Sequence, residues 1–147
     1  MKPLDRPNLK VRMRLLVLFR GNWTITAAVD PDGKCPVKEG LNALKGRTAA
    51  DRSVFTRRIE RLSESGMFHN WEHGHPLEDG ISELKGKYIR VLYFKDEDRL
   101  VVCTRLALKG KAKVLEQEIS GAKATRERYL AAKAVGGVSV EEEEEEG

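Results

Sequence analysis

The sequence has only two cysteines, Cys35 and Cys103, in no CxxC arrangement. That excludes a disulfide-rich secreted scaffold and makes a reducing cytoplasm the expected compartment. No stretch approaches the roughly 20 apolar residues that a membrane-spanning helix needs, so no membrane partner is expected. The N-terminal apolar run, Leu15 to Phe19, falls short of the ~7–15 residues of a signal-peptide core, and Arg20 closes it. No segment repeats. The three histidines, His69, His73 and His75, share one loop with Glu72. Their spacing lacks the HExxH pattern, and no nearby cysteine completes a zinc set. Neither a metal nor a cofactor is expected.

What is present is charge. Of the 147 residues, 34% are charged and 40% hydrophobic, the range of one globular domain. Lysine and arginine number 27 against 23 acidic residues. Six of those acids form the run Glu141 to Glu146, so the body without it stands near +10. A basic body points to a polyanionic partner, or to a surface merely rich in lysine.

Apolar spacing gives the elements. Trp23 to Val29, rich in Trp, Thr, Ile and Val, reads as a strand, and Asp30-Pro31-Asp32-Gly33 as a turn. Val37, Leu41 and Leu44 line one face of a short helix that Gly46 stops. Phe55, Ile59 and Leu62 line a second helix, capped by Thr48 with Asp51 as capping-box partner and ended by Gly66. Arg52, Arg57, Arg58 and Arg61 fall mainly elsewhere on its surface. Three strands follow, Asp79 to Leu84, Tyr88 to Phe94 and Arg99 to Leu108, joined by short turns as an antiparallel meander. Leu115, Ile119, Ala122 and Tyr129 mark a last helix, broken at Gly136-Gly137. The expected fold is α+β: a small antiparallel sheet packed against helices, in the order β-α-α-β-β-β-α. Residues 1–21 are read as a basic extension, 22–133 as the domain and 134–147 as a flexible acidic tail. The tail is either a solubilising segment or a mimic of RNA that folds onto the basic site.

Two stretches carry a resemblance. Pro76 to Phe94 reads PLEDGISELKGKYIRVLYF, and Lys109 to Ala122 reads KGKAKVLEQEISGA. With the element order, they make the chain similar to the RelE/HigB toxin superfamily, in its phage-derived HigB-like branch, over roughly Asn22 to Leu130. The chain departs from the family pattern at Ala107, Gly110 and Leu115, where an aromatic, a second lysine and a proline are usual. The resemblance implies a RelE/ParE-like fold and a metal-independent endoribonuclease that cuts mRNA on the ribosome. It also implies a helix-turn-helix antitoxin, and operator DNA bound only through the toxin–antitoxin complex. The ParE branch shares the fold but inhibits gyrase, so fold alone does not choose.

Metal-free RNA cleavage needs a base for the ribose 2′-OH, cations for the growing phosphate charge and an acid for the departing 5′-oxygen. Arg90 sits inside the strongest strand, where a charge needs a role or a partner. The resemblance makes it the phosphate-stabilising arginine; the alternative is an ion pair with Glu83. Lys85 and Glu83 stand where the family has the arginine and glutamate of its ELR motif. Lys85 is either an RNA contact or a turn lysine, and Glu83 either a base or an ion-pair partner. His75 is the histidine best placed for proton transfer. Lys109, Lys111 and Lys113 form an alternating basic run after the last strand, either a contact for a phosphate backbone or a solvated surface, and Lys87 of the tight turn is a further candidate RNA contact. Tyr88 and Tyr93 lie on opposite faces of their strand: Tyr93 is the expected core residue, and Tyr88 the one free to stack on a base.

Overall fold

The structure, a computed structural model, describes residues 11–109 and 112–142, without the side chains of 112–114. Seven strands and three helices follow the order β1 (Met13–Arg20), β2 (Thr24–Ala28), α1 (Pro36–Ala43), α2 (Asp51–Ser65), β3 (Gly74–Glu78), β4 (Ile81–Lys85), β5 (Ile89–Asp96), β6 (Leu100–Leu108), α3 (Ala112–Ala134) and β7 (Val138–Glu141). The strands form one sheet in the order β3-β4-β5-β6-β2-β1-β7. The β3 to β6 meander is antiparallel, as is β1 with β2, whereas β2–β6 and β1–β7 are parallel.

The α+β class and the central succession from β2 to α3 agree with the sequence reading. The size and composition of the sheet do not: it is larger than expected and mixed. Three strands, β1, β3 and β7, were absent from the expected order. Two of them lie in the segments read as extension and tail.

The physical reason is clearest for β1. Met13 and Leu15 enter a core with α3 residues Ile119, Ala122 and Tyr129, while Leu16, Leu18 and Phe19 pack against the opposite core with α2 residues Phe55, Ile59 and Leu62. A strand covered on both faces shows an unbroken apolar run instead of alternation. The strand β3 contains Pro76, which suits an edge. Asp79 and Gly80, expected at a strand start, instead form the β3–β4 turn, with φ of 48° and 81°. Positive φ at both central residues is the type I′ geometry that matches the twist of a hairpin.

Helices cover both faces. The stripe Phe55, Ile59 and Leu62 is buried with Val37, Leu84, Val91 and Tyr93 on one side. Ile119, Ala122 and Tyr129 are buried with Ile81, Leu92 and Phe94 on the other. Thr48 does not cap α2: the N-cap is Ala50, without a side-chain bond, and Thr48 closes a short 3-10 turn by accepting the Lys45 N–H at 3.0 Å. Gly66 ends α2 in the left-handed conformation, φ 77°, as expected for glycine at that position.

Candidate functional site

Alternation along the strands decides what meets on the α3 face. Glu83 pairs in register with His75 on one side and Leu92 on the other, and Lys85 pairs with Arg90. Directly opposed residues project to the same face, so His75, Glu83, Lys85 and Arg90 gather where β3, β4 and β5 run side by side. All four candidate catalytic residues of the sequence reading are therefore brought together.

Glu83 is the centre. Its side chain is only 4% exposed. Arg90 Nη1 donates to Oε2 at 3.1 Å, His75 Nε2 stands 3.0 Å from Oε1, and Lys85 Nζ lies 3.9 Å from Oε1. One carboxylate thus faces two permanent cations and an imidazole, and the cluster carries net positive charge. The other ring nitrogen of His75, Nδ1, faces the Pro76 carbonyl at 3.0 Å. Both neighbours of the imidazole are oxygen atoms, the Glu83 carboxylate and the Pro76 carbonyl.

The backbone around the cluster is pinned. The Asp51 carboxylate, buried at the start of α2, accepts the N–H groups of Lys87 and Tyr88 at 3.0 and 2.7 Å. Arg58 Nε donates to the Lys85 carbonyl at 3.1 Å, and the Lys85 N–H donates to the His73 carbonyl at 2.8 Å. Gly74 lets β3 approach: a Cβ there would sit 2.6 Å from the Glu83 carbonyl oxygen. On β6, Arg105 pairs with Glu118 of α3 at 3.2 Å, and its guanidinium crosses α3 where Gly121 leaves room.

The candidate RNA-binding residues divide. Lys87 is exposed, with its ammonium 5.4 Å from the Tyr88 ring centre, and Arg47 lies 5.6 Å from the same ring. The Lys109 N–H donates to the Tyr88 carbonyl at 2.8 Å, which brings these residues together next to Arg90. Tyr93 is buried, as expected, and its burial pushes the phenol pKa up. Lys113 belongs to the first turn of α3, its side chain being undescribed; Lys111 lies outside the described residues.

The histidine loop does not converge on a metal. Among the described residues no group of three or more His, Cys, Asp or Glu side chains is arranged to hold one. His73 turns toward Asn70, and burial, then the Arg58 charge, holds its imidazole pKa down. The tail does not reach the site within the described residues: Glu141 and Glu142 pair with Arg14 and Arg20 of β1, at the other end of the sheet.

Sequence reasoning missed several contributors. Asp51 was assigned to a helix cap, yet its partners lie 36 and 37 residues away and are backbone groups. Arg58 and Arg52 read as surface arginines in the sequence; Arg52 instead binds carbonyls at the C-terminal end of α1, Leu41 and Leu44 among them. Trp71 stacks on His75, and its only signal was an aromatic in a polar loop.

With this geometry the comparison with known families is specific. The model described as "Phage derived protein Gp49-like (DUF891)" matches residues 42–127, more than half of the chain. The chain belongs to that family. Gp49-like proteins are associated with RelE/HigB-like toxins of toxin–antitoxin systems. The match contains every candidate site residue, from His75 to Lys113. No curated protein matches the chain. Among the described residues no helix is long and apolar enough to cross a membrane.

Proposed function

We propose that this Gp49-like protein is the toxin of a type II toxin–antitoxin pair, a HigB-like, metal-independent endoribonuclease that cleaves mRNA on the ribosome. It acts in the cytoplasm, is held by a helix-turn-helix antitoxin, and meets operator DNA only through that complex. The observation that carries the reading is the convergence of His75, Lys85 and Arg90 on the buried Glu83 carboxylate.

The cluster supplies the parts that the reaction needs. The His75–Glu83 pair takes the proton of the ribose 2′-OH, and the 2′-oxygen attacks phosphorus. Arg90 and Lys85 stabilise the added negative charge. A guanidinium has five N–H donors, and the Glu83 bond uses Nη1, so Arg90 can hold Glu83 and still present donors to a phosphate. As the P–O5′ bond breaks, the proton taken from the 2′-OH returns to the departing 5′-oxygen. Lys87 and Lys109 follow the backbone beside Tyr88, and Lys111 and Lys113 complete the basic set in sequence.

The test is cleavage of a defined message on translating ribosomes and of the same message free, with 5′ ends mapped. A further arm uses protein treated with EDTA, the chelator being removed before mixing. Cuts on the ribosome alone, insensitive to metal stripping and lost in Arg90→Ala, are the expected result. Absence of cuts in every arm sinks the nuclease reading.

One observation favours a second reading. A carboxylate 4% exposed and met by three bases is also what a closed, structural ion-pair network looks like. The protein would then act by binding alone, as a ParE-like gyrase inhibitor or a decayed phage-derived protein. Full toxicity of Arg90→Ala, or no growth defect from the unmodified chain, would favour it; gyrase supercoiling separates those two.

A further inference from the structure

The loop between α2 and β3 holds a side chain that the cluster chemistry does not use. Trp71 is 65% exposed. Its ring is parallel to His75, at an interplanar angle of 1° and a centroid distance of 4.4 Å. The turn that carries it is closed by its own hydrogen bonds. The His73 N–H donates to the Asn70 carbonyl at 2.9 Å, and Asn70 Oδ1 accepts the Glu72 N–H at 2.8 Å. The Lys85 N–H then ties the His73 carbonyl to β4. The indole thus rests on the imidazole, on a backbone tied to β4, with most of its surface exposed.

From this geometry we propose that Trp71 is a stacking platform for an unpaired base of single-stranded RNA, next to the phosphate-binding cluster. Planar bases stack on aromatic side chains whatever their sequence. A nucleotide joins a flat base to an anion, and the site offers both complements. Contacts of 4.4, 3.0 and 3.1 Å lead from the indole through His75 and Glu83 to the Arg90 guanidinium. The surroundings argue against a protein hot spot. Of the large apolar side chains exposed among the described residues, only Met67 shares this loop, and His69, Asn70, Glu72 and His73 surround Trp71 in sequence. An apolar anchor is normally ringed by a larger apolar core.

The inference deepens the ribonuclease reading but is tested apart from it. The chain has two tryptophans, Trp23 and Trp71. Intrinsic fluorescence is followed while a short unstructured RNA, or the same backbone carrying abasic sites, is added at low salt to the unmodified protein and to Trp71→Leu. Because Trp71 is exposed, the substitution leaves the core intact. Quenching by the RNA, absent with the abasic strand and lost in Trp71→Leu, with affinity falling about tenfold in that variant, is expected. Equal behaviour of the two strands, or quenching that survives Trp71→Leu, overturns the platform. So does unchanged RNA affinity in a Trp71→Leu protein that no longer co-elutes with an antitoxin, which would reassign the ring to a protein interface. Quenching without ribosomal cleavage would remove only the nuclease reading. Cleavage without quenching would remove only the platform.

Discussion

The Asp51 carboxylate accepts the Tyr88 N–H at 2.7 Å and the neighbouring Lys87 N–H at 3.0 Å, which joins the first turn of α2 to the β4–β5 turn. The contact is close enough that a Cβ on Gly86 would fall 3.0 Å from Asp51 Cγ and 2.8 Å from the Ile89 side chain. Lys85 and Arg90 flank this turn, so Asp51 holds the backbone that carries both. Asp51→Ala leaves two part-buried N–H donors without their carboxylate and should cost up to about 1–3 kcal/mol for each group so stranded. Amide exchange at Lys87 and Tyr88 should rise well above that of the β5 core. Unchanged exchange there would remove Asp51 from the site's support.

Glu83 and Arg90 should respond differently to substitution. Glu83→Gln leaves three bases without their carboxylate and should destabilise the fold by about 3–5 kcal/mol, the cost of breaking a buried pair. Arg90→Lys keeps the charge but loses the planar fork, so it should fold nearly normally and cleave poorly. Arg90→Ala should reduce ribosomal cleavage by a factor on the order of 10²–10³. Chemical unfolding run beside the cleavage assay separates the two effects.

Gly74 offers a test of geometry. A Cβ at that position would meet the Glu83 carbonyl oxygen at 2.6 Å and the Phe68 ring at 2.5 Å. Backbone cannot swing aside as a side chain can, so Gly74→Ala should push β3 from β4 and part His75 from Glu83. The expected cost is about 1–3 kcal/mol, with a larger proportional loss of cleavage than of stability. Normal activity in a folded Gly74→Ala protein would show that His75 is dispensable.

The pH limits of stability should trace to Asp96, Tyr129 and Lys133. Burial alone would raise the Asp96 pKa, but hydrogen bonds from Lys133, Tyr129 and the Glu97 N–H outweigh it and hold it below the ordinary value. A carboxyl whose pKa is lowered on folding stabilises the protein above its unfolded value of about 4, and the contribution disappears as pH falls through the folded value. Lys133 is raised, first by its bond to Asp96, so its contribution holds below its unfolded value and is lost as pH rises through the folded one. Urea midpoints against pH should form a plateau between these limits. Asp96→Asn should lower the plateau and flatten the acid limb; an unchanged acid limb contradicts the assignment.

The sequence made some of this legible because the signals were local. The stripes Val37 to Leu44, Phe55 to Leu62 and Ile119 to Tyr129 each identify a helix face, and the core of β5 needs only its own residues to be read. Arg90, Lys85 and Glu83 are legible through the family resemblance and His75 as a loop histidine suited to proton transfer; that they converge is not, because it depends on β3 pairing with β4 and β4 with β5. What stayed hidden depends on distant partners. β1 hides its alternation because both its faces are covered. β7 has four residues and exists as a strand only through β1. Asp51 looks like a cap until the β4–β5 turn is folded against it, and Trp71 gains meaning only when His75 lies beneath it.

The seventh strand also decides how the sheet ends. It covers Met13 to Leu16 of β1; its last residue, Glu141, holds Arg14 within that stretch, and Glu142, just beyond it, holds Arg20 at the end of β1. An eight-residue apolar strand with an open flank is a template for other chains. Here that template is already occupied over Met13 to Leu16 by the protein's own backbone, in a strand of only four residues. A chain truncated after Gly137 should therefore uncover this flank while leaving the Glu83 cluster, at the other end of the sheet, in place: light scattering should report association that rises with concentration.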